Sequence, residues 1–139
     1  MKRIITMLLV VLLVYSLTNT TVFAAKKKEV TSVGAIYEID SWIGATYELF
    51  LKEYKLKMPR KIKLNFTSSD SEFYSLAKIK ADVGAITIEG TIIVSGGQVT
   101  SKNRTALLKE LIRLTLMENN KVRDADKIIK NFFEKHRIK

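Results

Sequence analysis

Gly84-Ala85-Ile86-Thr87-Ile88-Glu89-Gly90-Thr91-Ile92-Ile93-Val94 reads as two short strands about a tight turn. β-Branched residues crowd both arms, and glycine supplies the positive φ that a two-residue hairpin requires. Upstream, Lys61-Ile62-Lys63-Leu64-Asn65-Phe66 alternates polar and apolar side chains, the period of a strand with one buried face. Ile62, Leu64 and Phe66 point inward on this reading. These two stretches demand a small sheet, and everything around them has helical spacing.

Between them, Ser69-Asp70-Ser71-Glu72 matches the S-x-x-E capping box, so a short helix through Phe73, Tyr74, Leu76 and Ala77 is expected. On the N-terminal side, Ile36, Ile39, Ile43, Tyr47, Phe50, Leu51 and Tyr54 recur every three or four residues, predicting one amphipathic helix over 32–55. Gly44, beside Trp42 and Ile43, marks a place where another element approaches closely. Pro59 ends this region. After the hairpin, Ala106, Leu107, Leu108, Leu111, Ile112, Leu114, Thr115 and Met117 predict a central buried helix starting near Lys102 or Asn103. Ile128, Ile129, Phe132 and Phe133 predict a last helix from about Asp124. The fold class is therefore α+β: a small single domain of about three short strands packed against an N-terminal amphipathic helix and two C-terminal helices.

The start of the chain speaks of location. Lys2 and Arg3, the apolar run Ile4 to Leu17, and Val22-Phe23-Ala24 have the shape of a secretory signal with cleavage after Ala24, of the kind bacteria use. The run is about 14 residues, short of the ~20 that span a bilayer, so no permanent span is expected after cleavage, with a retained anchor as the alternative. Residues 1–24 are then the signal, 25–31 a flexible basic arm around Lys26-Lys27-Lys28, and 32–139 the domain. The chain carries 24 basic and 14 acidic residues. Such a domain outside the cytoplasm meets anionic polymers, lipid headgroups and acidic polysaccharides, all of which attract lysine without geometric demand. The bland alternative is that the charge serves solubility. No cysteine is present, which removes disulfides, thiol catalysis and cysteine-based metal sites.

Among chemistry-bearing residues, Leu107-Leu108-Lys109-Glu110-Leu111-Ile112-Arg113-Leu114 stands out. From Lys61 to Glu118, the strand, capped helix, hairpin and apolar helix resemble the gluzincin-like (peptidase MA-like) metallopeptidases. That family's helix carries H-E-x-x-H, in which two histidines bind zinc and the glutamate activates water. The matching positions here are Lys109, Glu110 and Arg113, so the resemblance implies a truncated relative whose zinc ligands are replaced and whose metal catalysis is lost. Lys109 and Arg113, four apart, would then bind an anion; the ordinary alternative is a Glu110–Arg113 ion pair on a helix surface. Catalytic residues, metal and cofactor are accordingly expected to be none.

The other candidates have simpler explanations. His136, the only histidine, sits in a basic C-terminus and is expected to be solvated. Asp70 and Glu72 belong to the cap. Trp42, Tyr37 and Tyr47 either line a groove or belong to the core, and their helical spacing favours the core. Ser95-Gly96-Gly97-Gln98 reads as a loop, not a phosphate cradle. Asn65-Phe66-Thr67 and Asn103-Arg104-Thr105 match the glycan acceptor pattern, which has meaning only in a eukaryotic secretory route. Nucleic-acid readers interleave basic and aromatic residues on a sheet, and these strands nearly lack aromatics, so no specific nucleic-acid partner is expected. The expected function is an exported, non-catalytic binding or interaction protein of the cell envelope, with an anionic envelope polymer or a protein as partner. A secreted enzyme using Glu110, Lys109, Arg113 and Tyr47, or a purely electrostatic binder, are the alternatives.

Overall fold

The structure, a computed structural model, describes residues 26–81 and 83–139. In chain order these form β1 (Lys26–Val30), α1 (Val33–Ile39), α2 (Ser41–Tyr54), β2 (Ile62–Phe66), α3 (Asp70–Ala77), β3 (Ala85–Ile88), β4 (Thr91–Val94), α4 (Arg104–Glu118), a 3-10 turn (Val122–Asp124) and α5 (Ala125–Lys135). The expected export signal lies outside the described residues. The architecture is α+β, with a four-stranded mixed sheet ordered β1-β2-β4-β3.

Alternation in Ile62–Phe66 works as expected, with Ile62, Leu64 and Phe66 buried and Lys63 exposed. β4 lies parallel to β2 and antiparallel to β3, and the hairpin closes through Glu89 and Gly90, both at positive φ (51° and 81°). Positive φ at both central positions is what a type I′ turn needs, and that turn's twist matches its strands.

The basic segment expected to be a flexible arm is instead a strand. β1 pairs antiparallel with β2 from Lys26↔Phe66 to Val30↔Ile62, which makes this segment part of the sheet and raises the strand count to four. Pairing uses backbone groups, so three lysines in a row cost it little while their side chains stay in water. Val30 is buried in the core at the far end, and Glu29 meets Lys61 at 3.2 Å.

The single helix expected over 32–55 is two. Asp40 takes an extended conformation (φ −159°, ψ 121°) and its carboxylate accepts from the Ile43 amide at 2.9 Å, capping α2. Its own N–H still donates to the Ile36 carbonyl, closing α1. An Asp that satisfies an orphan donor makes a helix start more stable than helix continuation at that point. Gly44 is where α1 folds back. A Cβ there would stand 2.7 Å from Tyr37 Cγ and 2.9 Å from Tyr37 Cα.

One face of the sheet carries the main core. Ile62, Leu64, Phe66, Ala85, Ile92 and Val94 meet Ile43, Tyr47 and Phe50 of α2 and the apolar side of α4, with α5 closing the far side. Phe132 packs edge to face on Phe50 and Tyr54 there, at 5.2 and 6.3 Å between ring centroids, while Phe50 and Tyr54 are tilted by 36°. Among the described residues the opposite face has only α3, whose Phe73 and Ala77 cover Ile93, with Ile86 and Ile88 alongside.

Gly44→Ala tests the α1–α2 contact. Alanine gains ~1 kcal/mol of helix propensity, but the methyl would overlap the Tyr37 backbone, where overpacking costs about 1–3 kcal/mol. A lower melting temperature is expected by calorimetry, and a higher one would mean the helices do not meet there.

Candidate functional site

Helix α4 presents Lys109, Glu110 and Arg113 very unequally. The Glu110 carboxylate faces the sheet and accepts a hydrogen bond from the Thr87 hydroxyl of β3 at 2.8 Å. Arg113 Nε lies 3.7 Å from the same oxygen, and Arg113 Nη1 donates to Asp126 of α5 at 2.9 Å. Lys109 is exposed and forms no ion pair with any described residue. Glu110 is thus a brace from α4 to β3, and Arg113 a brace from α4 to α5. An N···O separation of 3.7 Å is long for a hydrogen bond, so Glu110–Arg113 is chiefly a Coulombic contact. Lys109 and Arg113 do not converge on a shared anion site.

Zinc does not fit this donor set. Cationic side chains flank Glu110 where ligands would be required, and among the described residues no three His, Asp or Glu side chains gather to hold a metal.

Tyr47 belongs to the core. Its ring is fully buried and its hydroxyl lies 2.6 Å from Thr115 Oγ1, which also donates to the Leu111 carbonyl. Burial pushes the phenol up to about 12, against a smaller opposing effect of the Thr115 hydrogen bond. A phenol so placed neither exchanges protons near neutrality nor reaches solvent. Tyr37 and Trp42, expected in the core, lie outside it, 38% and 36% exposed. Tyr37 donates to Glu48 at 2.6 Å, and Arg104 lies 5.6 Å over the Trp42 ring while both Nε and Nη2 donate to Asp40 Oδ2. These contacts fasten the α1–α2 junction to the start of α4.

His136 is not solvated. It packs on Phe132 with ring centroids 4.5 Å apart, and its Nε2 lies 2.8 Å from Glu53 Oε2. Glu53 also pairs with Lys135, so one carboxylate of α2 anchors the end of α5. The cap on α3 is half as expected: Ser69 Oγ accepts from the Glu72 amide, but Glu72 reaches back to the amide and hydroxyl of Ser68, one residue before the N-cap. The Ser95–Gln98 loop is tied down, since Asn103, almost wholly buried, donates to the carbonyls of Ser95 and Gln98 and accepts from the Thr100 amide. The loop amide of Gly96 donates to Thr67. Of the two acceptor-pattern asparagines, Asn103 is therefore buried, while Asn65 is half-buried on strand β2.

A larger concavity lies elsewhere, on the sheet face that α3 leaves half covered. Pairing aligns Lys27, Asn65, Ile93 and Ile86 in one row across the strands, and Glu29, Lys63, Thr91 and Ile88 in the next. Alternate residues share a face, so this face grades from charged at β1 to apolar at β3. Helix α3 covers the apolar end, and its Leu76 and Lys78 wall a groove of about 670 Å³ over the polar end. Asn65 in its floor has a buried Oδ1 with no hydrogen-bond partner. Sequence reading passed over these residues because they come from separate segments. The available signal was that inward Ile62, Leu64 and Phe66 leave Lys63 and Asn65 together on the outer face.

No protein-family model matches the chain, and no curated protein or solved structure matches it significantly. The resemblance to gluzincin-like peptidases thus rests on the residues quoted for it.

The Glu53 cluster carries a pH signature. The hydrogen bond from Lys135, then that from His136, holds the Glu53 carboxyl below its ordinary value of 4.5. A depressed carboxylate stabilises the fold above its unfolded value and loses that contribution as pH falls through the folded one. The α2–α5 anchor should therefore weaken in acid, and again in strong alkali, because the same bond raises the Lys135 ammonium above its ordinary value. Glu53→Gln should melt lower than the parent near neutrality, with the gap closing as pH falls below the ordinary carboxylate range and narrowing in high salt, because the cluster is near the surface. A gap independent of pH would mean that packing alone holds α5.

Proposed function

We propose that this chain is an exported, non-catalytic binding protein of the cell envelope, with a fold similar to gluzincin-like peptidases and the zinc ligands replaced. The observation that carries the reading is the engagement of Glu110. A water-activating glutamate stands between metal ligands with its carboxylate aimed at a substrate site, whereas here a cation takes each ligand position and Glu110 Oε2 meets both Thr87 and Arg113. The motif helix has become a strut between β3 and α5. Further support comes from element order: strand β2, capped α3, hairpin β3-β4 and apolar α4 follow one another as the resemblance requires. The signal at residues 1–24 places the protein outside the cytoplasm on this reading.

Electrostatic binding of anionic envelope polymers is the second reading, and a specific observation favours it. Lys27, Lys63 and Lys78 surround one groove without an ion pair to any described residue. Contacts of that kind fade with salt, since the Debye length falls from ~10 Å at 0.1 M to ~3 Å at 1 M.

Zinc titration of the purified full chain, coupled to hydrolysis of an unfolded protein substrate, tests the first reading. Neither stoichiometric zinc nor hydrolysis is expected. Glu110→Ala should lower stability by about 1–2 kcal/mol, through the lost hydrogen bond and ion pair. Stoichiometric zinc with hydrolysis that Glu110→Gln abolishes would make the protein an enzyme and end the pseudo-enzyme reading.

A further inference from the structure

We infer that the crevice between the outer side of α2 and the turn that follows α5 is a docking surface for an anionic phospholipid bilayer. This rests on the reading of the protein as an exported binding protein of the envelope, and it gives that protein a contact surface apart from both the α4 motif and the sheet groove.

The crevice is built by a helix end. Arg137 takes a left-handed conformation (φ 53°) and the Ile138 amide donates to the Phe133 carbonyl at 2.9 Å, so the chain turns back at the end of α5. Ile138 packs against the main core, and the Lys139 main-chain oxygen accepts from the Thr105 hydroxyl at 2.9 Å. His136 is held by Glu53. The turn is thereby fastened to α2 and α4, and it encloses a concavity of about 340 Å³ with Trp42, Thr46 and Leu49.

Apolar exposure is the first selector. The core side of α2 is Ile43, Tyr47 and Phe50, whereas Trp42 and Leu49 are 36% and 43% exposed. Seven residues are close to two full turns, so both side chains lie on the same side of the helix. Exposed apolar residues scattered singly are ordinary, but these two border one concavity with Ile138. Tryptophan settles at the level of lipid headgroups, and leucine enters the acyl boundary beneath them.

Charge is the second. Arg137 and Lys139 line the crevice, exposed and without an ion pair to any described residue, and no Asp or Glu side chain lines it. The carboxylates of α2 and its cap are already engaged: Asp40 with Arg104, Glu48 with Lys52, and Glu53 with Lys135 and His136. Arg104, over the Trp42 ring, sets a further guanidinium at the tryptophan end. A cationic rim around an apolar pair complements phosphate oxygens that lie above acyl carbon.

The combination separates a bilayer from other partners. A soluble polyanion would pair with Arg137 and Lys139 but leave Trp42 and Leu49 in water. A bound helix or strand needs a longer furrow, since 340 Å³ is at the small end even of sites for small molecules.

The test uses Trp42, the chain's only tryptophan, as its own reporter. Residues 25–139 hold every strand, helix and core side chain described above and are what cleavage after Ala24 leaves. The apolar run Ile4 to Leu17 is omitted because it would itself partition into lipid. This chain is titrated with vesicles of phosphatidylcholine alone and of equal parts phosphatidylcholine and phosphatidylglycerol, and Trp42 emission and co-sedimentation are both followed. With the anionic vesicles the emission should move to shorter wavelength and be quenched by acyl-brominated lipid, and binding should exceed that to neutral vesicles by roughly tenfold or more. Leu49→Ser should weaken it roughly tenfold through lost apolar contact, and Arg137→Ala/Lys139→Ala by about as much. Lys127→Ala/Lys130→Ala on α5 and Lys63→Ala/Lys78→Ala in the sheet groove should each change it less than about twofold, since local contacts decide affinity. Co-sedimentation without a change in Trp42 emission would mean that another surface meets the lipid and would overturn the assignment. So would no binding, equal binding to neutral vesicles, or losses in the control pairs as large as in the crevice pair. An emission shift with dodecyl phosphate below its micelle concentration, and none with vesicles, would make the crevice a small-ligand pocket and overturn it as well. Zinc-dependent cleavage of a protein substrate would instead overturn the underlying reading, so the two failures are distinct.

Discussion

The parallel pairing of β2 with β4 is the constraint on which the rest of this molecule depends. Parallel neighbours cannot be joined by a tight turn, so the chain must leave the sheet and return. Here the return path is α3 followed by β3, which makes α3 the cover of one face and β3 the edge next to α4. A helix about 10 Å wide shields roughly two strands spaced 4.8 Å apart. A four-stranded sheet needs two such covers on each face. The main face has α2 and α4; among the described residues the other has α3 alone, and the groove is the half that it leaves.

The main face shows how the helices are held once burial has brought them together. Apolar contact between the sheet, α2 and α4 supplies the non-directional attraction. Orientation comes from a few polar links at the ends: Asp40 to Arg104 at the start of α4, Tyr47 to Thr115 in its middle, and Glu53 to Lys135 and His136 at the end of α5. Each links an α2 or α1–α2 residue to a C-terminal helix more than 60 positions away. Glu110 and Arg113 belong to the same class of link. Their place in a motif-like octapeptide is compatible with a structural duty, because a half-buried carboxylate beside a hydroxyl and a guanidinium is satisfied without a ligand.

The groove follows the opposite logic. Its charged side chains gain little from the fold and are not consumed by it. Lys27 and Lys63 are where strand alternation puts polar residues on a sheet face open to water, and Lys78 is where a helix ends. The Asn65 carbonyl is the exception, since a strand position over solvent tolerates many residues that leave no acceptor buried.

Much was legible in the chain itself. Alternation in Lys61–Phe66, the Glu89-Gly90 turn, the Ser69 cap and the period of α4 and α5 are local patterns, and backbone sterics with side-chain periodicity determine them without reference to distant residues. The break at Asp40 was legible in kind, since Asp is a capping residue, yet an apolar period running through it masked the cap. Strand β1 was not legible, because a lysine run has no strand propensity of its own and is ordered only by the open edge of β2. Nor was the duty of His136, which Glu53 and Phe132 confer from across the fold. The sequence by itself determined which segments are helix and strand and which faces they bury, because those depend on neighbours within a few residues. Only the tertiary structure decided that Glu110 is a strut and that Lys27, Lys63, Asn65 and Lys78 share a groove, because strand register and helix coverage are set by contacts between segments far apart in the chain.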